Sequence, residues 1–410
     1  MKKKLFISFT ICVLTMSCND VANSSNTLKE EIPTTTITVK DFDFNVNEYF
    51  PTNGVFKYSE IFSNVEYVKL QSNENSTIGN ISKMEVTNEG DYIIFDLHNG
   101  KIARFNSSGI FLNQIGCRGK GKHEYLYPID FVYNPFDNQI IILDMPTTSL
   151  KFYKTDGTFI RVMKFDFIFK SFGIIDKDYI AICTDYAKAS NSKKEEYNFK
   201  IYDMQGNLVS QYDPYNTVGN LFGRGGMETF KYQNGHLLCN PRYSSVIYSF
   251  NQKNMFPLYR LDFGKKTIPN EIVKEMPNSS EMQSWLKKNE NTYCVKFFEG
   301  SKNYVMLLSA NGGNIVIYLQ DKKDAKKTFA KTYGYNDLGG IIGKDFFTYF
   351  HNDTFYYVLD PSEAQSFLEQ IESNRQEIEK THGGIRDKDI TILKEISNHT
   401  NPIIQICTLK

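Results

Sequence analysis

The sequence predicts an all-β fold, a six-bladed β-propeller, and three observations carry that reading. Aromatic residues make up 14% of the 410 residues, with 26 Tyr and 32 Phe; Tyr, Phe, Ile and Val suit pleated, half-buried surfaces. A template recurs without gaps at a spacing of 48, so that YIIFDLHNGKIARFNSSGIFLNQIG (92–116) lies over IIILDMPTTSLKFYKTDGTFIRVMK (140–164), Asp96 on Asp144 and Gly109 on Gly157. A period of about 40–50 with several strands per unit is the mark of a propeller blade. Finally, six short polar corners carrying Asn, Asp or Gly punctuate the chain: EGD, PFDN, KD, NGH, SKN and HND, the residue types that tight turns between strands demand.

In chain order, residues 1–17 read as a lipoprotein signal peptide. MKKK is basic, and LFISFTICVLTM is an apolar run of 12, short for a membrane-spanning helix. Ser17-Cys18 and an abrupt polar turn follow. Cys18 is then the lipidated first residue of the mature chain, and acyl chains on it would hold the protein to a membrane surface. That places the protein in the cell envelope, as an outer-membrane lipoprotein. Residues 18–40, rich in Ser, Thr and Asn, read as a flexible tether. Residues 41–410 form the propeller domain.

Each blade reads as four strands, a to d. Strand a precedes the polar corner, as in KMEVTN, IDFVYN and TFKYQ. Strand b follows as a near-continuous apolar run, such as YIIFD, QIIILD and YVMLLSA, suited to burial between neighbouring blades. Strands c and d form a hairpin around SSG, TDG or QGN. The sixth blade has only strands a and b at 345–359, a helical stretch, and NPIIQICTL (401–409), while VEYVKLQ (65–71) stands unpartnered before blade one. Pairing the two chain ends in one blade closes the ring and removes an open sheet edge.

The signal, the blade pattern, the closing strand and the segment IGCRGKGKHEY (115–125) together resemble the six-bladed β-propeller lipoproteins, relatives of NHL-repeat proteins, of Gram-negative gut bacteria. The resemblance spans residues 18–410. It implies fold and location and no agreed activity. Family members carry Pro-Gly where this chain has Lys122 and His123.

Composition narrows the function classes. The 47 basic residues balance the 47 acidic ones, so there is no nucleic-acid footprint. The Cys residues beyond Cys18 (117, 183, 239, 294 and 407) lack C-x-x-C spacing and read as buried thiols rather than metal ligands. No His pattern of a zinc site and no nucleophile elbow occurs, so no metal, cofactor or catalytic set is expected. Asp96, Asp144 and Asp360, recurring after strand b, read as turn caps. Gly116, Gly121 and Lys122 mimic a phosphate-binding loop, but His123 replaces the Ser or Thr that would hold Mg²⁺, and a strand follows where a helix is needed.

Strand alternation sorts the connections. The d-to-a links and b-to-c loops open on one face of the disc (the link face), and the a–b and c–d corners open on the other (the corner face). The long connections fall on the link face, including helical insertions at 268–292 and 361–384. One-sided elaboration is what a binding scaffold shows, so a glycan, peptide or protein ligand is expected there. Arg118, Lys120, Lys122, His123, Arg224 and Arg242 form a candidate anion-binding set, and Trp285 a candidate stacking platform. The leading expectation is a lipid-anchored binding module; the alternative is a glycan or peptide lyase or hydrolase with its site in the central channel.

Overall fold

The computed structural model describes residues 35–38, 55–187, 196–215, 229–276, 278–324, 328–331, 333–335, 349–366, 368–369, 372–373, 387–398 and 401–410. The chain divides into Met1–Pro33 and Thr34–Lys410, and every described residue falls in the second unit. The signal peptide, Cys18 and Arg224 lie outside the described residues.

Six antiparallel blades follow one another. Blade one is Lys83–Val86, Tyr92–Asp96, Lys101–Phe105 and Phe111–Gln114. Blade two is Pro128–Asn134, Gln139–Asp144, Ser149–Lys154 and Phe159–Lys164. Blade three is Ser171–Ile174, Tyr179–Cys183, Glu196–Asp203 and Leu208–Tyr215. Blade four is Phe230–Gln233, His236–Cys239, Val246–Asn251 and Asn254–Asp262. Blade five is Tyr293–Glu299, Asn303–Ala310, Asn314–Asp321 and Thr328–Lys331. In blade six, Tyr349–His351 and Thr354–Leu359 are followed in the sheet by Ile403–Leu409, and Phe62–Lys69 supplies the outer strand. That strand pairs antiparallel from Ile403 opposite Lys69 to Leu409 opposite Phe62, so the two chain ends meet in one blade.

The core follows from the b strands. Successive side chains of a strand point to opposite faces, so a strand sandwiched between blades needs apolar residues at every position. In blade one, Tyr92 and Ile94 pack toward blade six while Ile93 and Phe95 pack toward blade two. Each of the six blade interfaces has its own buried cluster of this kind. The a–b corners turn through left-handed residues, among them Gly90, Asn138, Asn234 and Gly235, and Asn352 and Asp353. Asn, Asp and Gly tolerate that conformation best, which is why they punctuate the sequence.

Three details differ from the sequence reading. Thr35–Thr38, inside the segment read as tether, adds a fifth, parallel strand to blade four, opposite Tyr259–Asp262; a row of unpaired backbone groups on an outer strand is a ready template for such pairing. The 268–292 insertion holds two helices, Asn270–Glu275 and Ser279–Lys288. The second is capped by Asn278, whose side chain accepts from the Glu281 amide. In blade six the b-to-c connection is helical at 361–366, and carries a further helix, Asp387–Ser397, whose Leu393 and Ile396 are buried with Ala364 and Leu368.

Candidate functional site

The innermost strands expose one backbone edge to the hub, and buried N–H and C=O groups there need partners. Side chains of the preceding blade supply them at the spacing of the repeat. From blade one, the Lys83 ammonium donates to the Phe131 carbonyl at 2.6 Å, Glu85 accepts from the Tyr133 amide at 2.8 Å, and Asn88 donates to the Pro135 carbonyl at 3.1 Å. From blade four, Gln233 Oε1 accepts from the Glu299 amide at 2.8 Å and Asn234 donates to the Glu299 carbonyl at 3.0 Å.

These polar residues wall a cavity of about 540 Å³ at the hub, lined by inner-strand residues of all six blades and reaching the a–b corners Asn88, Pro135, Asn234, Ser301 and Asn352. The volume is that of a small-molecule site. Two charge clusters border it. Lys83, almost wholly buried, lies 2.8 Å from Asp130 and 3.3 Å from Glu85. Burial pushes the Asp130 carboxyl up to about 7 against the pull of Lys83, and raises Glu85 as well. Asp130 Oδ2 is buried with no hydrogen-bond partner among the described residues. Glu299 behaves oppositely. Burial would raise it, but hydrogen bonds from His236 at 3.2 Å and Lys322 at 2.8 Å prevail and hold it at about 2. Burial also lowers His351, which lines the cavity.

Two aromatic rings meet beside the cavity, and one of them, Tyr232, lines it. Phe136, in the corner of blade two, and Tyr232, at the end of strand a of blade four, meet edge to face with centroids 5.5 Å apart. Both remain exposed, at 42% and 36%. Blade three lies between their blades in the ring, and its inner strand is close-packed on blade four: a Cβ at Gly173 would stand 2.7 Å from that of Phe230.

The residues singled out from sequence fall elsewhere. Arg118, Lys120, Lys122 and His123 share the link between blades one and two and are exposed. Arg118 donates to the Leu126 carbonyl and stacks over Tyr127. His123 stacks on Phe159, with centroids 4.7 Å apart. Lys120 and Lys122 extend from a loop braced by Glu124, which accepts from the Gly121 amide at 2.7 Å. Arg242 lies over Tyr243 in the b-to-c loop of blade four, and Trp285 is partly buried against the cluster containing Tyr243, Met282 and Leu286. None of the described members of the set lines the hub cavity. Asp96 and Asp360 do cap turns, accepting from the Asn99 and Ser362 amides, whereas Asp144 instead holds the preceding link, accepting from the Leu126 and Tyr127 amides. Cys183, Cys239, Cys294 and Cys407 are buried free thiols, and Cys117 is an exposed one. Among the described residues, no cluster of His, Cys, Asp or Glu could hold a metal ion.

Sequence reading missed Lys83, Glu85, Gln233 and Glu299. The signal was present: each sits in an innermost strand, where alternation sends every second side chain toward the free inner edge of a neighbouring blade.

Six blades around a ligand-sized hub make this a β-propeller with its candidate site on the axis. The chain belongs to the DUF4934 family, described as a domain of unknown function, whose model matches residues 41–408. It is similar to a Bacteroides fragilis protein described as exported, at 18% identity and a TM-score of 0.70, with 92% of this chain and 100% of that one covered. It is also similar to a DUF4221 member from Bacteroides vulgatus, at 13% identity and a TM-score of 0.48 over 84% and 98% of the two chains. Virginiamycin B lyase from Staphylococcus aureus follows at 7% and 0.34, over 65% and 73%. The first likeness speaks to fold alone, and the other two carry no argument. No curated protein matches the chain.

Proposed function

We propose that this protein is an exported module of the bacterial envelope that binds a small ligand in the hub cavity, entered from the corner face. One observation carries the reading: a cavity of about 540 Å³ to which all six blades contribute. The signal-like N-terminus and the fold shared with an exported protein support the location. No described helix is long and apolar enough to cross a membrane, and acyl chains on Cys18 would supply the attachment. The rival binding surface is the link face with Arg118, Lys122 and Arg242, where the long connections lie.

The test uses the full chain incubated with a small-molecule extract of bacterial envelopes, followed by washing and mass spectrometry of what is retained. Ser301→Trp places a bulky ring at an exposed corner of the cavity, while Arg118→Ala leaves the hub untouched. The hub reading expects retention by wild type and Arg118→Ala and loss in Ser301→Trp. Equal retention by Ser301→Trp, or loss only in Arg118→Ala, contradicts it.

The Lys83, Glu85 and Asp130 cluster favours one second reading, an enzyme with acid–base chemistry at the hub. A buried carboxyl poised near neutrality beside a second carboxylate is the arrangement general acid–base catalysis uses. Turnover of a retained ligand that stops in Asp130→Asn would establish it; unchanged ligand mass would exclude it for that ligand.

A further inference from the structure

The chemistry of the cavity mouth narrows the ligand class, and this step rests on the hub being the binding site. We infer that the hub takes the end of a neutral oligosaccharide, with a sugar ring lying on the Phe136–Tyr232 pair and its hydroxyls reaching Gln233.

Three observations converge. The first is the aromatic pair itself. Solvent-exposed rings from two different blades, in edge-to-face contact, present an apolar surface beside the cavity, which Tyr232 lines. The weakly polar C–H face of a sugar ring matches such a surface, as the quadrupole of an aromatic face attracts positively polarised edges. Second, Gln233 holds an unused donor. Its Oε1 is fixed by the Glu299 amide at 2.8 Å, which fixes the plane of the side-chain amide. Its Nε2 is buried and has no hydrogen-bond partner among the described residues. A buried donor left unpaired is costly, and a ligand hydroxyl or ring oxygen would pair it. Third, two carboxylate–lysine clusters at the wall are closed within the protein: Lys83 with Glu85 and Asp130, and Glu299 with Lys322, Glu299 also being hydrogen-bonded to His236. Lys231 lies over the ring of Phe298. Asp353, also at the wall, accepts from the Ser301 amide at 2.8 Å. Most of the wall's charge is therefore engaged within the protein, and aromatic faces and side-chain amides are left to contact a ligand.

The experiment is calorimetric titration of the full chain with neutral hexasaccharides of glucose, mannose, xylose and N-acetylglucosamine, alongside oligogalacturonate and a mixture of short peptides. Tyr232→Ala removes the exposed ring. Gln233→Glu keeps an acceptor for the Glu299 amide and replaces the donor by oxygen, so the proposed contact is lost, and a thermal melt checks that the variant stays folded. The inference expects at least one neutral hexasaccharide to bind, with affinity reduced about tenfold or more in each variant and unchanged in Arg118→Ala. Binding of oligogalacturonate or peptides alone, blocked by Ser301→Trp, overturns the sugar class and leaves the hub site standing. A neutral sugar that binds equally well to Tyr232→Ala, Gln233→Glu and Ser301→Trp overturns both. Failure of every neutral hexasaccharide to bind overturns the sugar class.

Discussion

The Lys83 ammonium lies 2.8 Å from Asp130, joining the inner strands of blades one and two, and the Asp130 carboxyl gives this pair a pH response. Burial raises Asp130 from 3.8 to about 7. A carboxyl whose folded pKa exceeds its unfolded one binds more protons when folded, so stability falls as pH rises between the two values. Denaturant titrations from pH 4 to 8 should therefore show a declining contribution across that window in the wild type. Asp130→Asn, which has no such proton to lose, should flatten the decline. An identical slope in both proteins would contradict the assignment.

Glu299 gives the opposite sign. His236 and Lys322 overcome burial and hold it at about 2. Its stabilising contribution is present above the unfolded pKa of about 4.5 and is lost as pH falls toward 2. Thermal melts should show Glu299→Gln less stable than wild type at pH 6, with the gap closing below pH 4. A gap that stays constant to pH 2 would show that Glu299 acts through packing alone.

Gly109 and Gly157 occupy equivalent places in the 48-residue repeat, and the structure gives them the same task. Gly109 has φ +81, and a Cβ there would stand 2.3 Å from the Lys69 carbonyl oxygen; Gly157 has φ +88 and would meet that of Gln114 at 2.5 Å. Each seats a c–d turn against the outer strand of the preceding blade. Alanine at either position should cost more than about 1 kcal/mol, measured by urea unfolding. Gly235, also left-handed but with nothing within 4 Å, should suffer only the backbone strain and lose less.

Blade interfaces should respond as ordinary cores. Phe95 is fully buried between blades one and two and meets Phe131 edge to face, centroids 6.0 Å apart. Phe95→Ala should destabilise by about 3–5 kcal/mol; a loss under 1 kcal/mol in urea unfolding would mean that this interface collapses freely around the void.

The blades were legible because burial on both faces leaves a b strand no polar positions, as Ile140–Ile141–Ile142 shows, and because left-handed corners admit few residues other than Gly, Asn and Asp. The shared sixth blade was legible because 65–71 and 401–409 were strands without partners. The site was not. Loop length drew attention to the link face, whereas the hub cavity is lined by short inner strands whose polar residues look in sequence like ordinary strand alternation. That Lys83 reaches across to Asp130, or Gln233 to Glu299, depends on how neighbouring blades lie against each other, and no one blade encodes it. Trp285 was conspicuous as the sole Trp, yet it packs its helix beside Met282 and Leu286. The rim strand Thr35–Thr38 was invisible because Thr-rich polar sequence serves equally as tether or as edge strand.

The central claim, that ligand enters the hub from the corner face, is tested most directly by hydrogen exchange on the full chain with and without the ligand it retains. The account predicts slowed exchange at the a–b corners, residues 86–92, 133–139, 232–236 and 299–303, with the link at 116–126 unchanged. Protection confined to 116–126 and the helix Ser279–Lys288, with the corners unaffected, would contradict it.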